Sequence, residues 1–142
     1  MHPLSSRATW GYHHLLESLR TLTRAGLIER AQAMADRSRR EDVCWAEGWL
    51  LEADAIVAEA RGDTESAVSR YSDAAVAWRE HGYVFEDALS QLGAGRSLIA
   101  LGRGDAAEPH LRAAIEILSR LRARLPLAEA NGLLEEVARL TS

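Results

Sequence analysis

The sequence has no lysine at all, a single cysteine (Cys44) and one phenylalanine, and no stretch of it is uninterruptedly apolar for long. One cysteine rules out a disulfide framework within the chain and leaves a reducing compartment, hence the cytoplasm, as the expectation, with Cys44 in a packing role. No segment reaches the ~18 apolar residues of a membrane span. The opening Met-His-Pro-Leu-Ser-Ser-Arg lacks the basic stretch and apolar run that export requires. There is no Gly-rich phosphate loop, no helix-turn-helix with basic flanks and no nucleophile elbow. β-branched residues are scarce and no period-2 alternation is sustained, which argues against strands.

What is present is alanine, leucine, arginine and glutamate. The 142 residues are 47% hydrophobic and 27% charged, the balance of a chain that folds as one domain. All 17 basic residues counted as Lys+Arg are arginine, a bias expected of a GC-rich, bacterial genome. They are dispersed, and the net charge is -4. A nucleic-acid footprint of clustered positive charge is therefore absent, and no nucleic-acid or membrane partner is expected.

Self-similarity fixes the organisation. Shifting the sequence by 40 positions pairs Gly48 with Ala88, Ala53 with Gly93, Ala55 with Gly95, Gly62 with Gly102, Ala67 with Ala107, Tyr71 with Leu111, Ala74 with Ala114 and Trp78 with Leu118. Each unit reads as helix, Gly-containing turn, helix. Asp63 is expected to cap the helix that follows Gly62, Asp105 and Glu108 to form a capping box, and Pro109 to sit within a first turn. A weaker copy precedes, with Leu15, Leu19 and Leu22 on a first helix, a turn at Gly26, and Ala31 and Ala35 on a second helix reaching about Arg40. After Pro126 a helix over roughly 127–140 presents Leu127, Ala130, Leu133, Leu134, Val137 and Leu140 on one side, as a terminal cap would. The expectation is one domain over 1–142, with hairpins at about 10–40, 43–80 and 84–121.

This order of small residue, turn glycine, alanine, large residue and alanine resembles the tetratricopeptide repeat. The resemblance covers roughly residues 12–121 and implies an all-α, right-handed stack of about three helical hairpins with a C-terminal capping helix. The period departs from the family's, at 40 against about 34, and the excess is assigned to a loop from Glu80 to Asp87. The proline that usually ends the second helix is absent from both strong copies. The long, Ala- and Arg-rich form is similar to the helical repeat regions of bacterial LuxR-type regulators, large signal-transduction ATPases and some adenylate cyclases. It implies a non-catalytic protein-interaction or scaffold module without cofactor, or alternatively the small-molecule-sensing region of such a regulator.

In this family the first helix of each hairpin lines the partner-binding side. The resemblance carries that role onto His13, Leu16 and Arg20, then Trp49, Glu52, Ile56 and Glu59, then Leu89, Leu92, Arg96 and Ile99. That mixture suits an extended peptide or an amphipathic helix. Trp49 and Arg96 are the positions of most interest. An arginine among Leu92, Leu98 and Ile99 needs an anion, either Glu52 or Glu59 of the neighbouring hairpin or a ligand.

The sharper chemical readings are thin. His13-His14 with Glu17 has a spacing that can hold a metal, but His81 and His110 are far along the chain and no thiol cluster exists. Glu135-Glu136 are consecutive on a helix and point about 100° apart. The two Arg-Gly-Asp triplets fall at helix-to-helix turns, where Gly and Asp have capping duties. No metal site and no enzyme activity are expected. An array of three hairpins leaves an open end that a second copy could cover, so a homodimer is also among the expectations.

Overall fold

A computed structural model describes residues 15–40 and 47–141, with 38–40 described for their backbone alone. The expectations placed on His13, His14, Cys44 and the start of the second hairpin lie outside these residues. Every regular element among the described residues is helical: residues 15–24 (α1), Ile28–Arg40 (α2), Glu47–Ala60 (α3), Thr64–Glu80 (α4), Val84–Ala100 (α5), Gly104–Leu121 (α6) and Arg124–Thr141 (α7).

One turn joins these helices again and again. Residues 26, 62, 82, 102 and 122 have positive φ, between 56° and 81°. In each case the following amide closes back on the carbonyl five residues earlier, as in Asp63 N to the Ala58 carbonyl (2.9 Å), Tyr83 N to Trp78 (2.9 Å), Arg103 N to Leu98 (2.8 Å) and Ala123 N to Leu118 (3.0 Å). This pattern pairs the carbonyls that a helix end leaves open. The residue that donates this bond also begins the next helix, since the Asp63, Tyr83, Arg103 and Ala123 carbonyls accept the first intrahelical bonds of α4 to α7. Each reversal thus takes three residues, or two before α7, and the left-handed positions from 62 to 122 recur every 20 residues.

Several local expectations change with that geometry. The loop foreseen over Glu80–Asp87 shrinks to His81–Tyr83, and the extra length of the repeat lies in helices of 17 and 18 residues. Asp63 makes no side-chain cap bond, and α6 begins at Gly104, ahead of the proposed capping box. Glu108 bonds Arg112 instead. The shared-residue turn already settles the backbone, so aspartate caps are not needed. Pro109 lies in the second turn of α6 rather than its first, and α7 starts at Arg124, before Pro126, where a missing amide costs no intrahelical bond.

Successive helices pack against one another in chain order, and α3 also touches α5, as α5 does α7. Among the described residues the even-numbered helices have no such mutual approach. The odd-numbered helices therefore form the inner, crowded side of a curved stack. The positions paired by the 40-residue shift are the seams: Ala53, Ala55, Ala67, Ala74, Ala88, Ala107 and Ala114 are all at most 1% exposed. Glycine appears where even a methyl would not fit. A β-carbon on Gly93 would stand 2.5 Å from the Tyr71 ring of α4, and one on Gly95 would stand 2.6 Å from Leu111 of α6. Two residues apart on α5, these glycines admit a large side chain from each neighbour. Trp49, Tyr71 and Trp78 fill one cluster, and Leu111, Leu118, Ala130 and Val137 a second beneath α7.

The turn at residue 122 is the exception to glycine, since Arg122 holds φ at 56°. A β-carbon in this region costs about 1–2 kcal/mol, of which the greater freedom of unfolded glycine returns ~0.5–1 kcal/mol. Arg122→Gly is expected to stabilise the chain, raising Tm by about 2–5 °C in calorimetry. An unchanged or lower Tm would show that the turn is not strained.

Candidate functional site

Two carboxylates of α3, Glu52 and Glu59, lie two turns apart on one face, and each is held by an arginine from a different inner helix plus a hydroxyl. Glu52 is fully buried; it accepts from Arg20 Nη2 of α1 (2.8 Å) and from Ser90 Oγ of α5 (2.6 Å). Glu59 accepts two bonds from Arg96 of α5, through Nε (2.5 Å) and Nη2 (2.8 Å), and a third from the Tyr71 hydroxyl (2.8 Å). Arg96 reaches on to Glu129 of α7 (2.7 Å), and Arg20 to Glu17 on its own helix. The two sets tie all four inner helices together. Such charge-assisted forks fix orientation as well as energy.

The electrostatics follow from burial. Removal from water raises the Glu52 carboxyl above its ordinary value, against the lowering effects of Arg20 and Ser90, with Glu86 adding to the rise. Burial, then the charge of Glu59, push the Tyr71 hydroxyl well up, so it remains a donor. Burial opposes the Arg96 charge, but the bonds to Glu59 outweigh it and the guanidinium stays firmly charged.

Over this network lies an open groove of about 610 Å³. Its lining comes from every inner helix: Glu17, Arg20 and Arg24 of α1, Ile56 and Glu59 of α3, Phe85, Leu89, Leu92 and Arg96 of α5, and Leu125, Pro126 and Glu129 of α7. Tyr71 reaches in from α4. A smaller adjoining hollow is bordered by Leu16, Arg20, Phe85 and Leu89.

The residues singled out by sequence divide accordingly. Arg20, Ile56, Glu59, Leu89, Leu92 and Arg96 come together around the groove, and Leu16 borders the adjoining hollow. Trp49 does not belong there; it is 1% exposed and packs within the core, because the seam of α3 rather than its groove face carries the indole. Glu52 lies sealed beneath the surface as the buried end of the Arg20 and Ser90 bonds. Ile99 packs toward the second core cluster, away from the groove. His13 lies outside the described residues. Arg96 takes Glu59, one of the two carboxylates foreseen for it.

Phe85, Leu125, Arg24 and Glu129 were not foreseen. Phe85 fell in the supposed loop, and Leu125 and Glu129 in or before the supposed cap. The extension of α5 and α7 by a turn brings them to the groove mouth. Among the described residues no group of three or more His, Cys, Asp and Glu gathers as metal ligands, and Glu17 is engaged with Arg20. No helix among them is long and apolar enough to cross a membrane. On the outer side Arg79 grips Asp87, Gln91 bonds Asp87, and His110 Nδ1 donates to Gln91 Oε1. Burial lowers the His110 pKa, and this chain of bonds staples α4, α5 and α6. The arginines of the two Arg-Gly-Asp triplets bridge neighbouring hairpins, Arg61 to Glu29 and Arg103 to Glu65. These exposed pairs are worth little individually.

Because Glu52 titrates higher in the folded than in the unfolded chain, its contribution to stability is fully present below the ordinary value of 4.5 and is lost as pH rises through the folded value. Urea unfolding of the wild type and Glu52→Gln at pH 4.5 and pH 7.5 measures this. The difference between them is expected to move in favour of the wild type at the lower pH; a difference independent of pH would remove the buried ionised carboxylate from the account. No family model matches the chain, and neither a curated protein nor a solved structure matches it.

Proposed function

We propose that this chain is a non-catalytic interaction module of the tetratricopeptide-like kind, which receives a peptide or a partner helix in the groove of its inner helices and serves as a scaffold or regulatory element. The observation that carries this reading is the composition of that groove. It joins an aliphatic floor of Ile56, Leu89 and Leu92 to exposed apolar residues at the mouth, Phe85 at 39% and Leu125 at 85%. The same groove holds Arg20, Glu59, Arg96 and Glu129, which are already bonded in place. Exposed apolar surface beside ordered polar groups is the make-up of protein-recognition sites. Glu17 pairs with Arg20, and Glu59 and Glu129 with Arg96, with no substrate-sized gap between these partners, which favours binding over turnover. The repeating hairpins, seamed by small residues and turned at glycine, support the family reading. Attachment to a bacterial regulator accords with the same sequence pattern.

Selection of binders from a displayed peptide library by the full chain tests the reading. Peptides that bind the wild type are expected to lose at least about tenfold in affinity for the Phe85→Ser, Leu125→Ser double variant, since each truncated anchor removes roughly 1 kcal/mol or more. Helicity and Tm should hold, both side chains being exposed. Selected peptides that bind the variant equally well would place recognition elsewhere.

The volume of the groove favours one further reading, a small-molecule sensor, because about 610 Å³ falls within the range of ligand pockets. A metabolite that binds the folded chain alone must raise its melting midpoint. A thermal-shift panel in which a metabolite raises Tm, with the rise lost in the double variant, would favour the sensor over the protein-interaction module.

A further inference from the structure

Resting on the groove reading above for its consequence, we infer that Glu52 is a proton-controlled latch. Whether its carboxyl holds a proton sets how firmly the first hairpin, α1 with α2, closes against α3, and so whether the groove keeps the wall that α1 provides. That wall is Glu17, Arg20, Thr23 and Arg24. Among the described residues, the one side-chain hydrogen bond from α1 to another helix ends on Glu52, given by Arg20 Nη2. The rest of the hairpin is held by the apolar seam of Leu16, Leu19, Ala31 and Ala35 and by an exposed pair, Glu29 with Arg61. The later helices are tied more heavily, through Arg79, Arg96, Arg103 and His110. The first hairpin is therefore the unit that a change at Glu52 can release while the remaining helices stay folded.

The surroundings of Glu52 make its charge conditional. The carboxyl is out of reach of water; its Oε2 takes a bond from Arg20 and its Oε1 one from Ser90. Arg20 does not serve Glu52 alone, since Glu17 engages it as well. From α5 the buried Glu86 adds negative charge, and from α4 Tyr71 and Trp78 stand within electrostatic reach. A carboxyl so placed keeps its proton more readily than one in water, and loss of water, ahead of every other cause, raises it above its ordinary value. Withdrawal of α1 readmits water and returns the carboxyl toward that ordinary value. Protonated Glu52 thus favours the closed hairpin at lower pH, and the ionised form favours opening as pH climbs through the folded value.

Hydrogen exchange of the full chain across a series from pH 5 to pH 8, each amide taken relative to its intrinsic rate, reads the latch. Opening of α1 and α2 is expected to rise at least about threefold against that of α5 and α6 over this range. The rise is expected to vanish in Glu52→Gln, whose side-chain amide can accept from Arg20 and donate to Ser90 without titrating. Because the histidines titrate over the same range in both proteins, the comparison isolates Glu52. Should Glu52→Gln not fold, Ser90→Ala replaces it: removal of a bond that favours the ionised form is expected to move the midpoint of the rise to higher pH. Opening of α1 and α2 that keeps step with α5 and α6, a rise that persists in Glu52→Gln, or an unmoved midpoint in Ser90→Ala overturns the inference. A library-selected groove peptide, at an excess of about ten times its Kd or more, is expected to slow opening of α1 and α2 about tenfold at pH 8. Bound peptide without that slowing overturns the link to the groove and leaves the groove reading standing. If no peptide binds, the groove reading fails, and the exchange series still decides the latch.

Discussion

The close approach of neighbouring helices is the constraint on which this structure depends. Helices that meet at alanine and glycine bring their backbones near enough that a single large residue from one side fills the space between them. At Gly93 the space is taken by the Tyr71 ring, at Gly95 by Leu111, and at Gly48 by the Trp78 indole. A side chain at any of these positions would wedge the helices apart, and the displacement would pass along the stack, because each hairpin is placed only by the one before it.

The turns complete that constraint. With two or three residues in each of these turns and one of them shared, there is no slack in which a hairpin could change its angle. A repeat of 20 residues per helix and turn follows, and the inner helices are drawn together on one side. There, crowding becomes a difficulty of a different kind: α3 places one carboxylate, Glu52, out of reach of water and a second, Glu59, half-buried at the groove. Arg20 and Arg96 reach Glu52 and Glu59 from the flanking helices, and Ser90 and Tyr71 complete their bonding. Leaving Glu52 without Arg20 would strand a buried acid without its charged partner.

The same bonds shape the surface above them. They immobilise the charged side chains of the groove and leave its apolar floor and mouth uncovered. Binding surface and internal bracing are thus made from one set of residues, which is why Arg96 belongs to both. On the outer side Arg79, Asp87, Gln91 and His110 play only the bracing part.

The sequence by itself determined the helices, their pairing and their seams. The spacing of Ala53, Gly93, Ala67 and Ala107 records a requirement for small volume at fixed intervals, and glycine at 62 and 102 records a backbone that L-residues avoid. Such requirements are local or periodic, so a single chain displays them. Gly82 carried the same signal but was read as part of a loop, since the excess length of the repeat had no evident home until α4 and α5 proved longer. Which face each residue serves was decided by the tertiary structure alone. Trp49, Ile56 and Ile99 look alike as apolar residues at helical spacing, yet one is core, one lines the groove and one faces the second cluster. Phe85 and Leu125, 40 residues apart, reach the same groove mouth only because α5 and α7 touch. The sequence could place an arginine at 96 and acids at 52 and 59, but the choice of Glu59, with Glu52 left to Arg20, depends on distances across helices that no spacing along the chain encodes.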